Sequence, residues 1–136
     1  VPFYGVYDIA NTLGTRAGRQ RLDWFLKRAM FGGRDIERIN SATALLHVGA
    51  DAPPFFVIHG THDSLVNVNE ARELVRRLRE RSTSVVAYAE LPGAEHAFDV
   101  FASIRSAHVI RGVERFLRVV QWELNKSTML ADVPIS

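Results

Sequence analysis

Pro53-Pro54-Phe55-Phe56-Val57-Ile58-His59-Gly60 is the stretch that most limits what this chain can become. The proline pair withdraws backbone donors and bars a helix on one side, and a glycine closes the other. Between them the residues are apolar without interruption. A strand with one wet face alternates apolar and polar residues; an unbroken apolar run needs cover on both faces, the situation of a strand inside a parallel sheet. Parallel strands must be joined by crossovers, usually helices, so the run implies helical segments on either side of it in sequence.

The rest of the chain supplies them. Val85 to Leu91 reads as a second strand, ended by Pro92-Gly93. Phe3 to Tyr7, aromatic and β-branched and ended by Asp8, reads as a third. Asn67 or Asn69 caps a helix whose stripe is Ala71, Leu74, Val75 and Leu78. A helix from about Arg19 to Phe31 presents Leu22, Phe25, Leu26 and Ala29 at helical spacing. A last helix, from about Ser103 to Leu124, carries Ile110, Val113, Leu117, Val120 and Leu124. Residues 125–136 lose periodicity and read as a loose tail, while glycines punctuate residues 10–50. The 136 residues suit one domain. The expected fold class is α/β, with about three parallel strands flanked by helices.

Composition removes several function classes. There is no cysteine, hence no disulfide and no Cys-based metal site. The formal net charge is +2, and the basic stretch Arg76 to Arg81 lies within an amphipathic pattern, a solvated helix face and not a nucleic-acid patch. No apolar run has membrane-spanning length. The opening Val-Pro-Phe-Tyr lacks the basic flank and apolar core of a signal peptide and reads as the interior of a longer protein. Localisation stays open.

In open parallel sheets, functional groups collect beyond the carboxyl ends of the strands. That rule selects His59 to Leu65 and Gly93 to Phe98. Asp63 follows the first strand and His96 the second, and their separation of 96 − 63 = 33 residues leaves room for one helix and one strand. The two turns therefore lie side by side. An aspartate there can fix the tautomer of the histidine and stabilise its imidazolium during proton transfer. Taken singly, Asp63 is an ordinary helix cap and His96 an ordinary loop residue; at matching positions they point to acid–base chemistry. His59, His62 and Asp63 also suggest a metal, but H-x-x-H-D lacks the helical H-E-x-x-H arrangement and a further ligand cluster. Neither a metal nor a cofactor is expected. His47 and His108 read as surface or helix residues, Phe98 and Phe101 as core, and Glu95 as an exposed loop charge.

Phe55 to Val66, with His59-Gly60-Thr61-His62-Asp63 after its apolar strand, resembles the segment that bears the catalytic acid in α/β-hydrolase esterases. Pro92-Gly93-Ala94-Glu95-His96-Ala97-Phe98 resembles the histidine loop of the same enzymes, in particular carboxylesterases and lipases related to hormone-sensitive lipase. Phe3 to Asp8 is similar to the strand before their substrate-covering insertion. Ser41 to Leu46 is similar to the Ser-Pro segment that leads back to the core, with Ala42 where proline is usual. The resemblance spans roughly residues 3–122. It implies that Asp63 and His96 are two members of a catalytic triad, that residues 10–50 form a lid-like insertion, and that Trp24 and Phe25 there line an acyl pocket. Core packing would explain the same apolar residues equally well.

The resemblance also marks what is absent. This class places its nucleophile on G-x-S-x-G, and the only glycines so spaced are Gly14 and Gly18, with Arg16 at the centre. No His-Gly-Gly oxyanion motif is present. The expectation is a C-terminal part of a serine esterase acting on a small-molecule ester or lipid, inactive alone, with a bare sheet edge at Phe3–Tyr7 that favours a homo-oligomer. The rival expectation is a non-catalytic, binding or self-associating module of the same fold.

Overall fold

The computed structural model of the chain describes residues 1–16, 18, 20–33 and 35–131; within the helices, the side chains of Gln20, Leu22, Leu26, Met30, Phe31 and residues 127–131 lie outside what it describes. Val1–Ala97 forms one compact unit and the residues from Phe98 onward a second.

The first unit is built on β1 (Phe55–Gly60), α3 (Val68–Arg81) and β2 (Val86–Leu91). The strands pair in parallel, from Phe55 opposite Val86 to Gly60 opposite Leu91. Val57, Ile58 and His59 are fully buried, the double-sided cover that the apolar run demanded. Asn67 caps α3 by accepting from the Asn69 N–H at 2.9 Å. Ala71, Leu74, Val75 and Leu78 face the core, joined there by Tyr7, Leu45, Val48 and Val57.

The expected third strand is reduced to a single parallel bridge between Phe3 and Ile58. Two hydrogen bonds hold it, Tyr4 N–H to the Ile58 carbonyl at 2.9 Å and Ile58 N–H to the Pro2 carbonyl at 3.1 Å. The reason is local. Tyr4 adopts φ 38°, which breaks the extended run one residue later. Downstream, the Tyr7 N–H is spent on Glu70 and its carbonyl on the Leu45 N–H.

Residues 10–50 hold α1 (Gln20–Phe31), α2 (Ile36–Ala42) and a 3₁₀ turn at Ala44–Leu46. Arg19, the expected start of α1, falls outside the described residues. Asp35 caps α2 by accepting from the Arg38 N–H, and α2 buries Ile39. The segment is tied down by a buried polar network centred on Glu70. Its Oε2 accepts the Tyr7 and Asp8 N–H groups at 3.1 and 3.0 Å, and its Oε1 accepts from Thr15 Oγ1 and Arg16 Nη1 at 2.9 and 3.1 Å. Arg16 Nη2 donates to the carbonyls of Asp8 and Ile9, so a buried cation and a buried anion are both fully engaged.

The second unit is α4, Ile104–Ala131. Ser103 Oγ caps it by accepting from the Ser106 N–H at 3.0 Å. The helix runs past the expected end near Leu124 and through most of the segment read as a loose tail; residues 132–136 fall outside the described ones. Among its described residues Ser106, Val109 and Phe116 are buried, whereas Ile110, Leu117 and Leu124 are 63%, 53% and 62% exposed. Val113 and Val120 of the expected stripe are half-buried, so burial follows that stripe only in part. Phe101 is 81% exposed, which overturns its reading as core.

Candidate active site

β1 and β2 end at the same level, and the loops after them are stitched together. Thr61 N–H donates to the Leu91 carbonyl and His62 N–H to the Ala94 carbonyl, both at 3.0 Å. Gly93 N–H donates to Thr61 Oγ1 at 2.9 Å, and Ser64 N–H to Glu95 Oε2 at 3.1 Å. Glu95 is therefore a tie between the loops as well as an exposed charge. Gly60 is required where it stands: a Cβ there would sit 2.2 Å from the Ala94 carbonyl oxygen, which is backbone and cannot swing aside. Gly93 turns the second loop at φ 64°, a conformation that favours glycine.

These constraints bring Asp63 and His96 together, with Asp63 Oδ2 2.9 Å from His96 Nδ1. The other oxygen, Oδ1, accepts the Leu65 and Val66 N–H groups at 2.9 and 2.8 Å, which fixes the carboxylate plane. The Asp63 side chain is wholly buried; that of His96 keeps 26% of its surface. An ionised carboxylate only accepts, so Nδ1 of His96 carries the proton and Nε2 keeps a free lone pair. That pair of states suits an imidazole that takes up a proton at Nε2 while a carboxylate stabilises the cation.

A second histidine reaches the same carboxylate. His59 Nε2 lies 3.3 Å from Asp63 Oδ2 and 3.0 Å from the Val66 carbonyl. Because that carbonyl must be given a hydrogen, His59 Nε2 is the protonated nitrogen; its buried Nδ1 has no partner among the described residues. The sequence places His59 and His62 at the strand end, as parts of the motif or of a weak metal pattern, without marking a His59–Asp63 contact. His62 is exposed, and among the described residues no three His, Cys, Asp or Glu side chains converge as a ligand set. Tyr4 also borders the site, its ring centroid 4.5 Å from that of His96 with the planes inclined at 55°. No spacing rule in the sequence marked Tyr4, which lies 92 positions before His96 (96 − 4).

The remaining candidates lie elsewhere. Arg16, at the centre of Gly14–Gly18, is a buried structural cation paired with Glu70 and with Asp23. Trp24 and Phe25 are 60% and 59% exposed on α1. Trp24 borders a cavity of about 560 Å³ shared with Ala10, Ile36 and Ile39, and neither Asp63 nor His96 lines it. His47 is held on α2 through Nε2 and the Asn40 carbonyl at 3.0 Å.

A parallel β–α–β unit with these loop ends defines part of an α/β-hydrolase fold. Among solved structures, the chain is similar to the butyrate-bound esterase Est2 of Thermogutta terrifontis, with a TM-score of 0.59 at 20% identity over 97% of this chain and 44% of the other. A truncated carbohydrate esterase from gut microbiota gives 0.56 at 16% identity, covering 93% and 41%. At such identities the likeness is one of fold. The BD-FAE family model matches residues 1–78, more than half of the chain, and the chain belongs to that family. Among curated proteins of Mycobacterium tuberculosis, it is 44% identical over 123 residues to the probable carboxylic ester hydrolase LipM and 36% identical over 122 residues to esterase LipQ. Each match covers 88% of this chain and 28% of the relative, so the chain spans under a third of their length.

Proposed function

We propose that this chain supplies the acid–base half of a serine carboxylesterase active centre. The observation that carries the reading is the 2.9 Å contact between Asp63 Oδ2 and His96 Nδ1 at the ends of neighbouring parallel strands. In this reading a serine from outside residues 1–136 approaches His96 Nε2. As its Oγ attacks the ester carbonyl, His96 takes the hydroxyl proton and Asp63 stabilises the imidazolium. The proton then passes to the departing alkoxide, which leaves as the alcohol. Water repeats the sequence on the acyl-enzyme and frees the carboxylic acid. The ester-hydrolase names of the relatives support the substrate class, a carboxylic ester. Residues 10–50 serve as the lid-like segment, and Trp24 and Phe25 meet the acyl portion.

Two measurements test the proposal. Residues 1–136 alone contain no G-x-S-x-G, so they should neither hydrolyse p-nitrophenyl esters nor be labelled by a fluorophosphonate. Stoichiometric labelling of a serine within them would overturn that part. In a longer protein that includes a serine elbow, Asp63→Asn should lower kcat by ~10³- to 10⁴-fold by favouring the wrong histidine tautomer. Unchanged turnover would remove Asp63 from the mechanism.

A further inference from the structure

The backbone of Tyr4 is held in a conformation that its side chain disfavours. At φ 38° it lies in left-handed space, which a residue with a Cβ rarely adopts. The surroundings enforce it. Its own N–H is bound to the Ile58 carbonyl at 2.9 Å, and the preceding turn is fixed by the Ile58 N–H on Pro2 at 3.1 Å. Glycine follows directly at position 5, where a Cβ would stand 2.7 Å from the Tyr7 ring. A shift of one position would have put glycine at the strained site, yet an aromatic residue occupies it. The result is that the Tyr4 ring reaches His96, with centroids 4.5 Å apart. Strain that persists beside a reactive group is a reason to look for a role there.

We propose that Tyr4 is a positioning residue that holds the His96 imidazole against Asp63 and favours its protonated form through the face of the phenol ring. The inference rests on His96 as the proton acceptor of the proposed esterase. Aromatic faces attract a cation within about 6 Å of the centroid, and the imidazole becomes such a cation only after taking up a proton. Nδ1 of His96 is pinned by Asp63, a contact that by itself leaves the ring able to tilt about the bond. A ring at 4.5 Å restricts the tilt and so aims Nε2. Asp63 from the loop after β1 meets the imidazole, His59 reaches the same carboxylate, and Glu95 accepts from the Ser64 N–H.

The test reads the imidazole directly and needs no nucleophile. The His96 side chain is titrated by ¹⁵N–¹H correlation NMR in the wild-type chain and in Tyr4→Phe, Tyr4→Leu and Tyr4→Gly. Loss of the ring in the leucine and glycine variants should lower the His96 pKa by roughly 0.3–0.7 unit, a two- to fivefold change in its acid constant. Phenylalanine should keep it within about 0.1 unit. The low-field Nδ1 proton should broaden in the ringless variants and stay sharp in Tyr4→Phe. Tyr4→Gly relieves the strained φ and guards against a folding failure in Tyr4→Leu. An unchanged His96 titration in a folded Tyr4→Gly overturns the proposal. So does an equal shift in Tyr4→Phe, which would assign the effect to the hydroxyl. Either result would leave the esterase reading standing, since that reading is decided by Asp63→Asn.

Discussion

Tyr7 shows how a single residue sets a pH limit. It is 5% exposed, and its hydroxyl lies beside Gly5, whose backbone offsets part of the effect of burial. Burial pushes the phenol from its ordinary 10.0 up to about 12, with Glu70 adding to the rise. A raised folded-state value means that the stabilisation is complete below pH 10 and is lost as pH climbs from 10 toward 12. Tyr7→Phe should therefore flatten alkaline unfolding across that window, by at most about 3 kcal/mol, as read by chemical denaturation at pH 9 and pH 11.5. Tyr88, whose phenol is raised by burial and by Glu90, retains part of the alkaline limb. An unaltered limb in Tyr7→Phe would mean that the phenol ionises freely in the folded state. Residue chemistry of this kind was only partly legible in the sequence. Asp63 and His96 stood out because two polar residues fell at equivalent ends of two apolar strands. His59 and Tyr4 did not, since their contacts with Asp63 and His96 depend on a hydrogen left over at one nitrogen and on an unusual φ.

At the scale of elements, α3 and α4 differ in how far pattern determines packing. In α3 the apolar residues form one stripe among arginines and glutamates, so only one face can be buried, and Leu78 is 1% exposed there. Leu78→Ala should cost about 2–5 kcal/mol in urea unfolding. In α4, apolar residues occupy two neighbouring stripes, one through Val109 and Phe116, the other through Ile110 and Leu117. Spacing fits both, and the expected stripe mixes exposed Ile110, Leu117 and Leu124 with half-buried Val113 and Val120. Leu117→Ala, at 53% exposure, should change stability by no more than about 0.5 kcal/mol. A loss of several kcal/mol would show that the Leu117 face is covered in solution. The strand expected at Phe3–Tyr7 failed for a different reason. Its β propensity is real, but Glu70 and Leu45 claim the Tyr7 backbone groups before a ladder can extend.

The whole molecule raises the question of its own edges. The Tyr7 end of the first segment is closed internally, which confines pairing on that side of β1 to Phe3–Val6; among the described residues no strand pairs with the outer side of β2. Uncovered edges template pairing with another chain. We expect a two-fold dimer through the Phe3–Val6 stretch, visible by sedimentation equilibrium at micromolar concentration as a doubled mass. A monomer with slow amide exchange at Phe3–Val6 would show that internal cover suffices. The fixed parallel register of β1 and β2 has a further use. Displacing β2 by a single residue along β1 would move its loop by about 3.3 Å, more than the whole length of the Asp63–His96 bond at 2.9 Å. The Nδ1 proton resonance is therefore a gauge of strand alignment: in a refolding experiment it should be among the last signals to sharpen, and its arrival dates the moment when the two strands have locked into step.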